Sequence, residues 1–179
     1  MSGDTSQEAR IRAIEDRIAI GELVSAYCLS IDERDLGRFL SMFTDDAVLR
    51  HEDGVMRLEG LAAIREYYTA RFAGYGVTFH TPHSHLVEFA SSEEGTGVVT
   101  GHAEMSEGGE LMVAAIRYRD RYRRVNGRWR FAERVLGFWY YMKASELPDG
   151  FVNGLRKHYR GQRLPAELPE SLETYRAWH

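Results

Sequence analysis

Seven histidines are spread through the chain, and three of them crowd into one segment, FHTPHSHLVEF from residue 79, as His80, His83 and His85. Imidazole exchanges protons near neutral pH and is a common metal ligand, so the cluster raises acid–base chemistry and zinc together. The segment reads as a strand. Alternation then sends His80 to one face and His83 with His85 to the other, with Pro82 able to disturb the pattern. His83 and His85 could share a metal only with a ligand from another strand. Neither an HExxH motif nor a cysteine pair supplies one, so no metal is expected.

The second residue of interest is Asp32, at the end of a long helical pattern. It is a surface acid, a cap for the next helix, or a group kept there for function. A carboxylate is a poor match to the negative C-terminal end of a helix, and such local conflicts mark functional positions. Asp35 is better explained as the N-cap of the following helix. Arg117, Arg119, Arg121, Arg123 and Arg124 form a basic stripe opposite Tyr118, Asp120 and Tyr122. With a net charge of −4 that stripe reads as a solvated or interface face rather than a nucleic-acid surface. Trp129, Phe131, Trp139, Tyr140 and Tyr141 are core or interface residues first, and as pocket walls would suit a bulky aromatic ligand.

The elements that must position these groups fall into two halves. Residues 8–30 carry Ile11, Ile14, Ile18, Leu23, Val24, Tyr27 and Cys28 at helical spacing, read here as one buried stripe. A short helix follows over Asp35–Phe43, a short strand over Ala47–His51, and a third helix over Leu61–Phe72. From residue 77 the composition turns to β-branched and aromatic residues, giving strands over 77–89, 97–105, 111–124 and 129–141. The connecting segments are turn sequences, and Asn126-Gly127 is the strongest hairpin signal among them. Helices followed by an antiparallel meander predict an α+β fold with helices against one face of a curled sheet. Residues 1–141 form the predicted domain. Residues 142–179 read as an extension, with a short helix over Phe151–Tyr159, wrapping the domain or a partner subunit.

Composition bounds the rest. The 179 residues are 44% hydrophobic, enough for one domain with a core. No apolar run approaches the roughly 18 residues of a membrane helix, and the polar N-terminus is unlike a secretory signal. The single Cys28 allows neither an intrachain disulfide nor a thiolate cluster. A cytoplasmic location is the default expectation.

The run Ile18–Asp46, with Leu23-Val24, Tyr27, Asp32, Asp35 and Phe43-Thr44-Asp45-Asp46-Ala47, resembles the opening of nuclear-transport-factor-2-like (SnoaL-like) proteins. His80, Thr96-Gly97 and Gly127-Arg128-Trp129-Arg130-Phe131 continue the resemblance in order, over roughly residues 8–141. It implies a cone-shaped, strongly bent antiparallel sheet whose open side is closed by the N-terminal helices around an apolar pocket (a cystatin-like α+β barrel). In the scytalone dehydratase and bile acid 7α-dehydratase branch, an Asp on the first helix orients a His on the first long strand. A hexachlorocyclohexane dehydrochlorinase looks similar. The resemblance puts the Asp on Asp32, the His on His80 in preference to His83, and a pocket Tyr on Tyr27.

Departures accompany the match. A second pocket Tyr of that branch falls on His51, a strand-borne acid or His falls near His102 and Glu104, and an Arg of the last strand falls on Phe138. His51, His83, His102, Tyr118 and Trp129 are the expected substrate-binding residues. The implied activity is a cofactor-independent lyase acting on a small hydroxylated aromatic or polycyclic substrate, losing water or, by retro-aldol cleavage, formaldehyde. The alternatives are an isomerase or polyketide cyclase using the same dyad, and a non-catalytic ligand-binding or oxygenase small-subunit-like module. The expected partners are an apolar small molecule and one or two further copies in a homodimer or homotrimer, with neither nucleic acid nor membrane.

Overall fold

A computed structural model describes the backbone of residues 2–178 and the side chains of residues 7–178. Helix α1 spans Ser2–Asp32 and α2 Leu36–Ser41; β1 (Phe43–His51) and β2 (Arg57–Glu59) precede α3 (Gly60–Gly74). Four long strands follow: β3 (Tyr75–Phe89), β4 (Glu94–Glu107), β5 (Glu110–Val125) and β6 (Arg128–Lys143). The sheet runs β2-β1-β6-β5-β4-β3. It is strongly curved and does not close. It is also mixed rather than antiparallel, because β1 lies parallel to β6. The fold is α+β, with the helices against the concave face. Among the described residues no helix is long and apolar enough to cross a membrane.

The curvature has local causes. Register shifts break the β5–β6 pairing between Ala115 and Ile116 and between Arg121 and Tyr122, and the extra residues bend the strands. Gly97 allows the Tyr122 ring to lie against the sheet; a Cβ there would sit 2.8 Å from the ring. Asn126 and Gly127 both adopt positive φ, as the hairpin signal requires. Inside the curl, Tyr118, Tyr122, Phe131 and Phe138 meet Ile20, Val24, Tyr27 and Ile31 of α1 in one core. Outside it, Arg119, Arg121 and Arg123 pair with Glu52, Glu133 and Asp46, so the basic stripe is largely neutralised.

Several boundaries differ from the sequence reading. Asp35 caps α2 by accepting from Arg38 N at 2.8 Å, but that helix stops at Ser41 and Phe43 already begins β1. On α1 the buried side is Asp16, Ile20, Val24, Tyr27, Cys28 and Ile31; Ile11, Ile14 and Ile18 are 47%, 59% and 58% exposed. Two apolar stripes share this helix, and periodicity alone merges them. In the extension, the helix expected over Phe151–Tyr159 is a turn followed by a hairpin, β7 (Lys157–Tyr159) and β8 (Gln162–Leu164). Arg160 and Gly161, both at positive φ, make its tip. A short helix, α4 (Leu147–Gly150), precedes it, and α5 (Glu173–Arg176) follows.

The hairpin is fastened to the cone by charge. Lys157 is fully buried, and its ammonium donates to Asp53 at 2.7 Å and to Glu167. Glu167 in turn accepts from Phe138 N at 3.0 Å, and Tyr141 N donates to Arg156 O at 2.8 Å. Burial of an ion at this cost is tolerated only when its donors are used, and Lys157 uses two carboxylates.

Candidate active site

Asp32 is the last residue of α1. Two residues on, Arg34 sits at φ 59° and turns the chain away, so the carboxylate is left facing β3. Three donors hold it there. Thr78 Oγ1 and His80 N donate at 2.9 Å each, and His80 Nδ1 stands 2.6 Å from Asp32 Oδ1. Arg34 supports the arrangement by donating to Thr78 Oγ1 at 2.7 Å. Burial alone would raise the Asp32 carboxyl, but the bonds from the His80 ring and backbone outweigh it and hold it below the usual carboxylate range. An ionised Asp32 accepts from Nδ1–H, which fixes the tautomer and leaves the lone pair on Nε2.

The His80 ring lines a chamber of about 70 Å3 inside the cone. Tyr27, Tyr68 and Tyr118 give it phenols, and Met105, Ile116 and Phe138 give it apolar wall. The Tyr27 and Tyr68 hydroxyls are 3.4 Å apart. Burial, then the neighbouring Tyr118, pushes the Tyr27 phenol well above its ordinary value, so it stays protonated and able to donate. Beneath these rings the buried Arg134 guanidinium lies 4.1 Å from the Tyr27 centroid and 4.3 Å from that of Tyr118. Asp120 accepts from Arg134 Nε at 2.8 Å and from its terminal nitrogen at 2.7 Å.

His51 reaches the chamber from β1. It is 7% exposed, its Nδ1 has no hydrogen-bond partner among the described residues, and Phe138 and Tyr159 flank its ring at 5.3 and 5.4 Å. Burial first, and the Lys157 charge second, push its pKa down to about 3, so it is a neutral imidazole at working pH. Its neighbours Asp53 and Glu167 would complete a three-ligand metal cluster with it. The Lys157 ammonium already bridges those two carboxylates.

Of the residues expected to bind substrate, His51 and Tyr118 line the chamber and three others do not. His83 and His102 are exposed on the convex face, where His83 Nε2 meets His102 Nδ1 at 2.7 Å. Trp129 lies at the far end of the cone, donating to Asp16 at 3.0 Å under the Arg124 guanidinium. The expectation that His83 and His85 share a face also fails. A register shift between Pro82 and His85 turns His85 inward, to Tyr122 OH at 3.2 Å. The lining residues that the sequence reading did not assign to the site include Tyr67, Tyr68, Arg71, Tyr75 and Tyr159. Arg71, one helical turn after Tyr67 and Tyr68, was a cation set beside an aromatic stripe, which is a legible signal. Tyr159 offered none.

Solved structures with this fold are numerous. A hexachlorocyclohexane dehydrochlorinase (LinA) type 2 superposes with a TM-score of 0.70 at 22% identity, covering 86% of this chain and 99% of that one. A Novosphingobium aromaticivorans protein assigned as a scytalone dehydratase gives 0.70 at 17%, covering 74% and 90%. Another from N. aromaticivorans, assigned as an aromatic ring hydroxylase, gives 0.69 at 26%, covering 74% and 96%. No curated protein matches. At such identities the likeness establishes architecture, and chemistry must be argued from the site. Residues 12–135 match the profile of the SnoaL-like domain, and the chain belongs to that family.

Proposed function

We propose that this protein is a cofactor-independent lyase that eliminates a group from a hydroxylated, largely apolar substrate, with His80 as general base and acid and Asp32 as its orienting partner. The observation that carries the reading is the Asp32–His80 bond of 2.6 Å beside a chamber lined mainly by apolar and phenolic side chains. A dehydrochlorinase and a protein assigned as a scytalone dehydratase share the fold, and their names point the same way.

The proton balance is simple. Nε2 takes the proton from a carbon next to an activating carbonyl, and the C–H electron pair moves into an enolate. The imidazolium, stabilised by Asp32, then returns that proton to a departing β-hydroxyl as its C–O bond breaks, releasing water. In the retro-aldol variant Nε2 takes the proton of a hydroxymethyl oxygen, the C–C bond breaks to release formaldehyde, and the carbanion is protonated from Nε2. Tyr27 is the donor to the oxygen on which charge develops, and neutral His51 binds a second substrate oxygen.

The test is mass spectrometry after incubating chelator-treated protein with β-hydroxy ketones and aryl propanediols, beside His80→Ala protein. Loss of water or formaldehyde confined to the wild type is the expected result. Unchanged mass with altered retention would replace the lyase by an isomerase or cyclase. Equal conversion by the His80→Ala protein would end the assignment.

A further inference from the structure

The chamber is too small for the substrate proposed for it. Benzene is taken up by an engineered apolar cavity of about 150 Å3, whereas the space beside His80 is about 70 Å3. A second cavity of about 800 Å3 lies directly outside, between α3, the β4–β5 turn and the β7–β8 hairpin. That volume falls within the range of about 300–1,000 Å3 typical of small-molecule sites. The two cavities have four lining residues in common: Tyr67, Arg71, Tyr141 and Tyr159. All four carry long side chains, which turn far faster than a strand or helix backbone moves.

We propose that the substrate spans both cavities, its hydroxylated reacting end beside His80 and an uncharged, elongated apolar body in the outer basin, with Tyr159 and Arg71 as the movable partition. This rests on the reading of His80 given above for which end goes inward. The base of the hairpin is fixed by Lys157, so the partition moves by turning its side chains rather than by lifting the hairpin. Tyr159 rests on the His51 ring at 5.4 Å from the tip of a two-stranded hairpin. Arg71 pairs with the part-exposed Glu107 at 2.7 Å, donates to Tyr75 OH and lies 4.4 Å from the Tyr75 ring centroid, contacts that it must exchange when it turns aside. Leu58, Ala63, Ala70 and Met112 give the basin its apolar wall. The basin is lined by three cations, Arg71, Lys143 and Arg160, and three anions, Glu66, Glu107 and Glu110, so their charges balance and reward a charged tail of neither sign.

The consequence is that residues 157–161, outside the stretch matched to the family, set substrate length. Isothermal titration calorimetry with benzyl alcohol, 4-phenyl-1-butanol and 8-phenyl-1-octanol tests it without turnover. Wild-type affinity is expected to rise at least about tenfold from the shortest probe to the longest, in line with burial of added methylenes. Ala70→Trp, a substitution at an exposed helix position lining the basin, removes that gain. Tyr159→Ala increases affinity for the longest probe. Equal affinity along the series, or a gain that Ala70→Trp leaves intact, would overturn the two-cavity site. Because binding is read without chemistry, inactive protein that still shows the length dependence would sink the lyase reading alone.

Discussion

Two histidine pairs start from the same strand three residues apart, and they have almost the same bond length. His80 meets Asp32 at 2.6 Å on the concave side of β3; His83 meets His102 at 2.7 Å on the convex side. Their surroundings separate them. The side chains of His80 and Asp32 are 9% and 15% exposed, and the carboxylate uses both oxygens on three donors. The outer pair stands in solvent, where two imidazoles share one hydrogen bond and no carboxylate fixes a tautomer. A bond of the right length is therefore a weak guide to chemistry. The cavity beside it, and a partner of opposite charge, decide what the imidazole can do.

The sharpest way to break the comparison is to remove each partner in turn. His80→Ala and Asp32→Asn are expected to lower turnover by about 10²- to 10⁴-fold, the usual contribution of a positioned general base. Far-UV circular dichroism should stay unchanged, since neither side chain packs the core. His83→Ala and His102→Ala should leave turnover within about twofold of the wild type, because surface groups away from special features act weakly. A large loss from either outer variant would mean that the convex face takes part in the reaction, and the inward pair would lose its standing as the site.

A second contrast lies along the inner wall, between the pair proposed to do chemistry and the pair that holds the chamber floor. Arg134 and Asp120 are both wholly buried, joined by two hydrogen bonds, and the guanidinium packs against Tyr27, Tyr118 and Phe131. Asp120→Ala leaves a buried cation alone and is expected to cost about 3–5 kcal/mol, read as a fall in Tm. Arg134→Met with Asp120→Leu removes both charges, and most of that loss should return, since replacing a buried pair whole is often neutral. Asp32→Asn should shift Tm far less than Asp120→Ala. If the two singles cost the same, the division between a catalytic and a structural pair fails.

How much of this was readable beforehand depended on whether the signal was local. Asp32 stood out because an acid at a helix C-terminus is locally unfavourable, and Asn126-Gly127 because only a few dipeptides accept two positive φ values. The long strands were legible from composition, and the cone and the Asp32–His80 pairing from the resemblance of ordered motifs. Facing was the weak point. A bulge after Pro82 reversed His85 relative to His83, and a one-residue irregularity is enough to flip every side chain beyond it. Ile11, Ile14 and Ile18 had helical spacing but belong to an exposed stripe, since periodicity reports that a face is apolar and not what covers it. Tyr159 was unreadable for a different reason. Its place beside His51 depends on the Lys157 ammonium meeting Asp53 and Glu167, contacts about 104 and 10 residues apart that no local pattern encodes.

The last effect expected is on stability against pH, where burial sets the inward His51 apart from the outward His83. His51 has a folded pKa pushed down to about 3, against an unfolded value near 6.5. The unfolded chain therefore binds a proton first as pH falls, and stability falls with it, beginning near pH 6.5 and continuing to about pH 3. Above pH 6.5 both states carry neutral His51 and the contribution is complete. Asp32 acts in the same direction at lower pH: its depressed carboxyl stabilises the fold above the ordinary carboxylate range and ceases to do so as pH drops through the folded value. His51→Gln should flatten Tm between pH 6.5 and 4 and leave the steeper acid loss below it, whereas His83→Gln should leave the wild-type curve in place. If His83→Gln flattened the same window, the acid sensitivity would belong to the convex face, and burial would not be what distinguishes these imidazoles.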